Sequence, residues 1–312
     1  MKALAVVLQQ PEQLSLRRLD LADAGDEDVI VDIEWSGIST GTERLLWSGR
    51  MPDFPGMGYP LVPGYESVGR ITHAGARSGA TVGSRVFVPG AKCFGDVRGL
   101  FGGAASRVVL PAARTIGIAD DLGERGVLLA LAATARHVSA GDAARHPELI
   151  IGHGLLGRLI ARLAVAAGHS PVVWETQAGR REGALGYRVL DPASDPRRDY
   201  RSICDVSGDA ALLDTLIGRL APGGEVVLAG FYDTPLSFVF APAFLREARI
   251  RVAAQWQPAD LVAVRDMAQS GLLSLDGLIT HRYAALAADA AYRTAFGDPA
   301  CLKMTLDWRD CP

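Results

Sequence analysis

Lysine is nearly missing from this chain, standing only at positions 2, 92 and 303 while arginine supplies the other basic residues. Alongside so much alanine and glycine, that bias reads as GC-rich coding and carries no function. No long basic run is present. A formal net charge of −3 with 21% charged residues describes an ordinary surface, so nucleic acid drops out as a partner. Nowhere do 18 uncharged apolar residues run together, and no integral membrane segment is expected. The opening MKALAVVLQQPEQ holds too short an apolar run for a signal peptide. Cysteine is sparse too: Cys93, Cys204, Cys301 and Cys311 are scattered without a CxxC pair. That argues against a zinc ribbon or a disulfide framework and for a reduced, cytoplasmic compartment.

What is present suggests about two domains in 312 residues. Up to about residue 120, β-rich runs such as ALAVVLQ, VIVDIEWSG, ESVGRITHAG and SRVFVPG are broken by Gly, Pro and Asp turns. Several alternate, as half-buried antiparallel strands do. Residues 43–60 read as an irregular loop, opened by one helical turn at Glu43 to Trp47. From residue 123, GERGVLLALAATARHVSA reads as a helix. Strands and helices then alternate: ELIIG, LLGRLIARLAVAAG, PVVWE, GYRVLD, SICDVSG, ALLDTLIGRLAPGG, EVVLAGF and ARIRVAAQW. Continuous apolar strands separated by helices predict a parallel sheet covered on both faces. The segment PADLVAVRDMAQSGLL reads as an amphipathic helix, followed by ITHRY as a strand, LAADAAYRTAFG as a helix and CLKMTLDW as a strand.

Residues 149–157, LIIGHGLLG, carry Gly152, Gly154 and Gly157 in G-x-G-x-x-G spacing. The spacing gains weight from its setting, because an apolar strand precedes it and a helix follows. Gly152 permits the tight turn, Gly154 lets backbone approach a pyrophosphate, and Gly157 lets helix pack on strand. The helix N-terminus adds free N–H groups and a positive dipole. Glu175 falls 18 residues after Gly157, at the end of VVWE, where an acid can bind both ribose hydroxyls. A carboxylate there repels a 2′-phosphate and favours NAD over NADP, although Arg180 and Arg181 follow soon after. The candidate cofactor set is Gly152, His153, Gly154, Leu155, Leu156, Gly157, Glu175 and Arg180, with the His153 imidazole itself read as structural.

A β-rich N-terminal part, a nucleotide-binding middle and a short return segment resemble the medium-chain dehydrogenase/reductase superfamily. SGISTGTE (36–43) is similar to its first active-site loop, PLVPGYESVG (60–69) to its glycine–histidine–glutamate segment, and LAPGGEVVLAG (220–230) to a strand of its nucleotide domain. The resemblance implies an α/β chain. It would comprise a GroES-like β-barrel catalytic domain (1–130 and 258–312) and a Rossmann domain with a doubly wound parallel sheet (131–257). It also implies a homodimer through an edge strand of the nucleotide sheet, near EVVLAGF and ARIRVAAQW.

Zinc members of that superfamily place a cysteine, a histidine and a third ligand where this chain has Ser39, Tyr65 and, by alignment, Ala130. A hydroxyl, a phenol and a methyl cannot hold zinc, which takes thiolate, imidazole or carboxylate at about 2.0–2.3 Å. The chain is therefore similar to zinc-free members, and no metal is expected. Side chains must then move the proton that zinc would otherwise make acidic. Tyr65 is the first candidate, Ser39 and Thr40 offer hydroxyls on the facing loop, Glu66 would orient Tyr65 or charge the site, and His137 is a candidate shuttle. Residues 36–70 and the closing LKMTLDWRD look like the group of this superfamily that serves bacteriochlorophyll biosynthesis. That likeness implies a flat tetrapyrrole substrate, whose 3-(1-hydroxyethyl) group is oxidised to 3-acetyl with NAD. Trp35, Trp47, Phe54 and Tyr59, with Met51 and Met57, are candidates for one wall of its cleft, though packing between barrel and loop accounts for them equally. An NADPH-dependent quinone or enoyl reductase, or a nucleotide-binding sensor without chemistry, stay open as alternatives.

Overall fold

A computed structural model describes residues 1–139, 145–232, 234–253 and 255–311. The chain divides into two compact units, Met1–Ala130 with Leu275–Pro312, and Leu131–Ser274.

The first unit holds strands β1 (Lys2–Gln10), β2 (Gln13–Asp20), β3 (Asp28–Ile38), β4 (Leu61–Val62), β5 (Ser67–Ala74), β6 (Arg85–Val88), β7 (Arg98–Gly99), β8 (Arg107–Pro111) and β9 (Ile116–Gly117), with helix α1 (Thr42–Ser48) between β3 and β4. Its return segment is described below with the strands it joins. In β3 the period of two is visible: Val29, Val31 and Ile33 are buried, while Ile30, Asp32 and Glu34 lie half open. From Ser36 to Ile38 the alternation stops and every residue is buried. The 120–138 stretch is not one helix. Residues 120–128 form tight 3₁₀ turns broken by Gly123 (φ 48°), and only α2 (Leu129–Val138) is α-helical. Gly126, three residues on, is closely packed: a Cβ there would stand 2.7 Å from Val68 and 2.8 Å from Ile118.

The second unit is built from β10 (Leu149–Ile151), α3 (Leu155–Ala166), β11 (Val172–Trp174), β12 (Arg188–Leu190), β13 (Tyr200–Asp205), α4 (Leu213–Arg219), β14 (Leu220–Leu228), α5 (Phe240–Leu245), β15 (Arg249–Val252) and α6 (Pro258–Gln269). The six strands are parallel in the order β12-β11-β10-β13-β14-β15, the doubly wound arrangement whose switch point lies at β10 and β13. The residues LAPGG do not extend α4. Pro222 cannot continue a helix, and Leu220 already opens β14. The short α5 has no clear sequence signal. Ala140 and Ala254, read as parts of elements, lie outside the described residues.

Residues 258–274 fall in this unit rather than with the barrel. The Asp260 carboxylate takes donors from Arg136 and His137 of α2, Leu261 and Val264 are buried, and Arg162 donates to the Ser274 carbonyl. The return to the first unit comprises β16 (His281–Ala284), α7 (Ala288–Gly297) and β17 (Met304–Asp307). β17 pairs antiparallel with β3, with Met304 opposite Ile38, while β5 flanks the other edge with Ser67 opposite Ser36. That register sets Tyr65, Glu66 and Lys303 beside the end of β3. Among the described residues no helix is long and apolar enough to cross a membrane.

Candidate active site

In the second unit the glycine loop takes the form its spacing predicts. Gly152 sits at φ 101°, and a Cβ on Gly157 would stand 2.0 Å from the Gly152 carbonyl oxygen. A Cβ on Gly154 would meet nothing within 4 Å, so that side of the turn is open, and α3 starts directly after it without a side-chain cap. Open backbone at the N-terminus of a twelve-residue helix fits a pyrophosphate. Leu155 is buried and Leu156 half-buried.

Glu175 follows β11, nearly buried, and its carboxylate accepts from the backbone N–H groups of His153 (3.1 Å) and Gln177 (2.8 Å). The His153 ring lies between the Arg180 carbonyl (2.7 Å) and the Tyr187 hydroxyl (2.8 Å), and burial holds its pKa down to about 4. It is neutral and structural. Arg180 contributes its carbonyl to the same knot, accepting also from Arg158. Arg158, one of two arginines on a helix that is apolar elsewhere, has no role in the sequence reading. Buried, it donates to the carbonyls of His153, Arg180 and Glu182 and staples the loop that follows Glu175. Arg181 is turned to the Glu175 and Thr176 carbonyls and to Asp191.

In the first unit, Tyr65 donates its hydroxyl to Ser39 Oγ at 2.9 Å, so the two positions matched to zinc ligands are bonded to each other. Ser39 Oγ also accepts from the Thr42 N–H (3.3 Å). Loss of water around the Tyr65 phenol raises its pKa, the nearby Glu66 charge raises it further, and the Ser39 and Thr42 hydroxyls oppose both. Thr40 is half-buried on the same loop.

Glu66 is fully buried behind Tyr65. Its Oε2 accepts from Lys303 Nζ at 2.5 Å, and Lys303, also fully buried, donates to the Ile38 carbonyl at 3.2 Å. Glu66 Oε1 has no hydrogen-bond partner among the described residues. Burial pushes this carboxyl up and the Lys303 ammonium pulls against it. Space beside it is tight, since a Cβ on Gly37 would lie 2.5 Å from Glu66 Oε2. Sequence reasoning gave Lys303 no role, because the pair is 237 residues apart and only the β3–β5 and β3–β17 registers together join it.

Glu43 was also missed, although it closes the quoted SGISTGTE. Fully buried, it accepts from the Ser39 N–H (3.1 Å) and the Tyr292 hydroxyl (2.5 Å).

His137 belongs to the second unit, its Nδ1 2.9 Å from Asp260 Oδ2. Burial works against the Asp260 charge, but the Gln257 N–H with His137 and Arg136 holds that carboxyl below its usual range. Of the four candidate wall aromatics, Trp47 is buried against Tyr292 and Phe296, with ring centroids 6.1 Å from each. Trp35 lies under the guanidinium groups of Arg85 and Arg309 (5.5 and 4.9 Å), and Tyr59 donates to the Leu46 carbonyl. Phe54 is exposed. A further ring, Phe101, meets Tyr65 edge-on at 5.6 Å and is 37% exposed.

Residues 25–120 match the family model described as the alcohol dehydrogenase GroES-like domain. A 2-desacetyl-2-hydroxyethyl bacteriochlorophyllide A dehydrogenase from Rhodobacter capsulatus is 57% identical over 312 residues, covering 99% of each chain. Its counterpart from Cereibacter sphaeroides is 57% identical over 315 residues, with the same coverage. The chain belongs to this family of medium-chain dehydrogenases.

Solved structures share its fold. The 2R,3R-butanediol dehydrogenase of Bacillus subtilis superposes with a TM-score of 0.85 at 18% identity, over 98% of this chain and 99% of that one. A short chain alcohol dehydrogenase from E. coli CFT073, complexed with NADH, gives 0.83 at 21%, over the same shares. Membership makes the chain an oxidoreductase acting on a CH–OH group with a nicotinamide cofactor, and the glycine loop and Glu175 fit that cofactor. Zinc is a different matter: among the described residues no three His, Cys, Asp or Glu side chains converge as a metal site. Ser39 and Tyr65 are engaged with each other, and the near carboxylate holds an ammonium. These donors do not fit the superfamily's zinc.

Proposed function

We propose that the chain oxidises the 1-hydroxyethyl side chain of a bacteriochlorophyllide to an acetyl group, using NAD and no zinc. End-to-end identity of 57% to two dehydrogenases named for that substrate carries the reading. Their name contains the chemistry, since the desacetyl substrate carries a hydroxyethyl group that becomes an acetyl group on losing a hydride and a proton. Exposed Phe101 beside Tyr65, with exposed Phe54, supplies rings on which a flat macrocycle can lie.

When bound, NAD supplies the hydride acceptor. The chain's own task is the hydroxyl proton. With its pKa raised, Tyr65 stays a neutral phenol, so it relays rather than stores the proton: it accepts from the alcohol as it donates to Ser39 Oγ, and the serine gives up its own hydroxyl proton to solvent water. A buried carboxylate oxygen without a donor is rare and calls for a role. Glu66 Oε1 is such an oxygen, and in this reading Glu66, its affinity for a proton raised by burial, holds the charge balance behind the phenol. NAD is preferred to NADP because the Glu175 carboxylate repels a 2′-phosphate and Arg181, tied to Asp191, is not available to receive one.

Incubation of the purified protein with a hydroxyethyl bacteriochlorophyllide tests this. With NAD, the long-wavelength band should shift to the red as the new carbonyl joins the conjugated ring, with NADH appearing in step. NADP should be at least about tenfold poorer in kcat/KM, the order of one lost charged contact. Reduction of quinones with NADPH instead would leave the superfamily standing and remove the substrate. Binding of NADH with no turnover on any alcohol would make the chain a sensor.

A further inference from the structure

Two buried carboxylates face one buried ammonium in the first unit, and the proton path described above uses only one of them. The other, Glu43, sits in α1, and its grip is specific. Its Oε1 accepts from the Ser39 N–H at 3.1 Å, its own N–H donates to the Ser39 carbonyl at 3.2 Å, and Tyr292 of α7 donates to its Oε2 at 2.5 Å. Ser39 is thus held from both ends of its backbone. Its hydroxyl is held as well, accepting from the Thr42 N–H and from Tyr65. With both lone pairs occupied, that hydroxyl has a fixed direction and only its own proton left to give.

A helix cap does not need this burial. Capping acids work at the surface, whereas Glu43 and Tyr292 are both 0% exposed. An ordinary cap also does not need a partner 249 residues away. We propose that Glu43 is a positioning residue for the reaction: gripped by Tyr292, its carboxylate fixes Ser39 so that the serine hydroxyl stays aligned with Tyr65. The inference rests on the reading that Tyr65 and Ser39 carry the alcohol proton.

The charged and titratable groups around Glu43 are Tyr292 from α7, Glu66 before β5, Lys303 before β17 and, beyond Ser39, Tyr65. Burial raises the Glu43 carboxyl most and Glu66 adds to it, while Tyr292, the Ser39 N–H and Lys303 lower it, for a pKa of about 7. As pH falls through that value the carboxylate gains a proton and loses its charge-assisted hold on the two donors. Activity that depends on the hold therefore declines on the acid side.

The experiment is steady-state kinetics of Glu43→Gln and Tyr292→Phe across pH, with Tyr65→Phe alongside. Glu43→Gln should lower kcat about 10- to 100-fold, the scale of a lost charge-assisted bond, with the KM for NAD within about twofold of wild type. Its acid limb near pH 7 should vanish. Tyr292→Phe, which keeps the carboxylate but removes a donor, should lower kcat less and move that limb to higher pH. If Glu43→Gln does not fold, Tyr292→Phe decides alone. Lowered thermal stability with wild-type kcat and an unmoved acid limb would overturn the inference, leaving the pair a structural cap. If Tyr65→Phe loses its activity while both other variants keep theirs, the inference fails and the proton path survives. If Tyr65→Phe turns over normally, the path itself is wrong and the inference falls with it.

Discussion

Tyr65→Phe should lower kcat about 10²–10³-fold, the usual worth of a positioned proton-transfer group. NAD binding should be unchanged, because every cofactor residue identified here lies in the other unit. The variant keeps the ring, so the edge contact with Phe101 persists and the protein should fold. It removes one O–H, and with it the donor to Ser39 Oγ at 2.9 Å. The substrate KM should move little, since the loss falls on proton transfer rather than on ring packing. Burst and steady-state kinetics on the hydroxyethyl substrate check this. A change below threefold in kcat would mean that the alcohol proton leaves by another route.

Lys303→Met should destabilise the barrel unit by about 3–5 kcal/mol at neutral pH, the cost of stranding one member of a buried ion pair. Methionine fills a similar volume, so cavity effects are small and the electrostatic cost dominates. The Glu66 carboxylate would be left fully buried without a counter-ion, and the Ile38 carbonyl without its side-chain donor.

The pH dependence has a definite sign. Burial raises the Glu66 pKa in the folded state already, and removing the ammonium that opposes it raises it further. A raised folded pKa means stability is fullest below the unfolded value and declines as pH rises through the folded one. The variant's deficit should therefore shrink on moving from about pH 8 to about pH 5. Denaturant melts at the two pH values measure it. An equal deficit at both, or one under about 1 kcal/mol, would show that Glu66 is not a buried anion.

These residues also show where the sequence stopped being informative. The glycine loop was readable because its physics is local: Gly152, Gly154 and Gly157 sit within one turn, between a strand and a helix whose apolar patterns announce themselves. Tyr65 and Ser39 could be named because a resemblance matched them to zinc-ligand positions, while their mutual hydrogen bond followed only from the pairing of β3 with β5. Lys303 and Tyr292 could be given no role. Their partners lie more than 200 residues away, and nothing local in LKM or AAYR signals a buried cation or a phenol facing an acid.

Trp47 was ambiguous for a related reason. An aromatic on a short amphipathic helix reads alike as core or as ligand wall, and only the ring contacts with Tyr292 and Phe296 place it in the interior. The helix read across 123–140 failed at Gly123, whose non-helical backbone (φ 48°, ψ −132°) is one glycine adopts readily and interrupts a sequence rich in Ala and Leu.

The most direct test of the central claim, that hydroxyls and a buried carboxylate replace zinc, is turnover after metal removal. The protein is dialysed against a strong chelator, its metal content is measured, and NADH formation from the hydroxyethyl bacteriochlorophyllide is followed with chelator still present. The account predicts full activity with less than about 0.1 zinc per chain, because Ser39, Tyr65 and Glu66 do not make a tetrahedral N/S/O donor set. Loss of activity on chelation, restored by stoichiometric zinc, would contradict it.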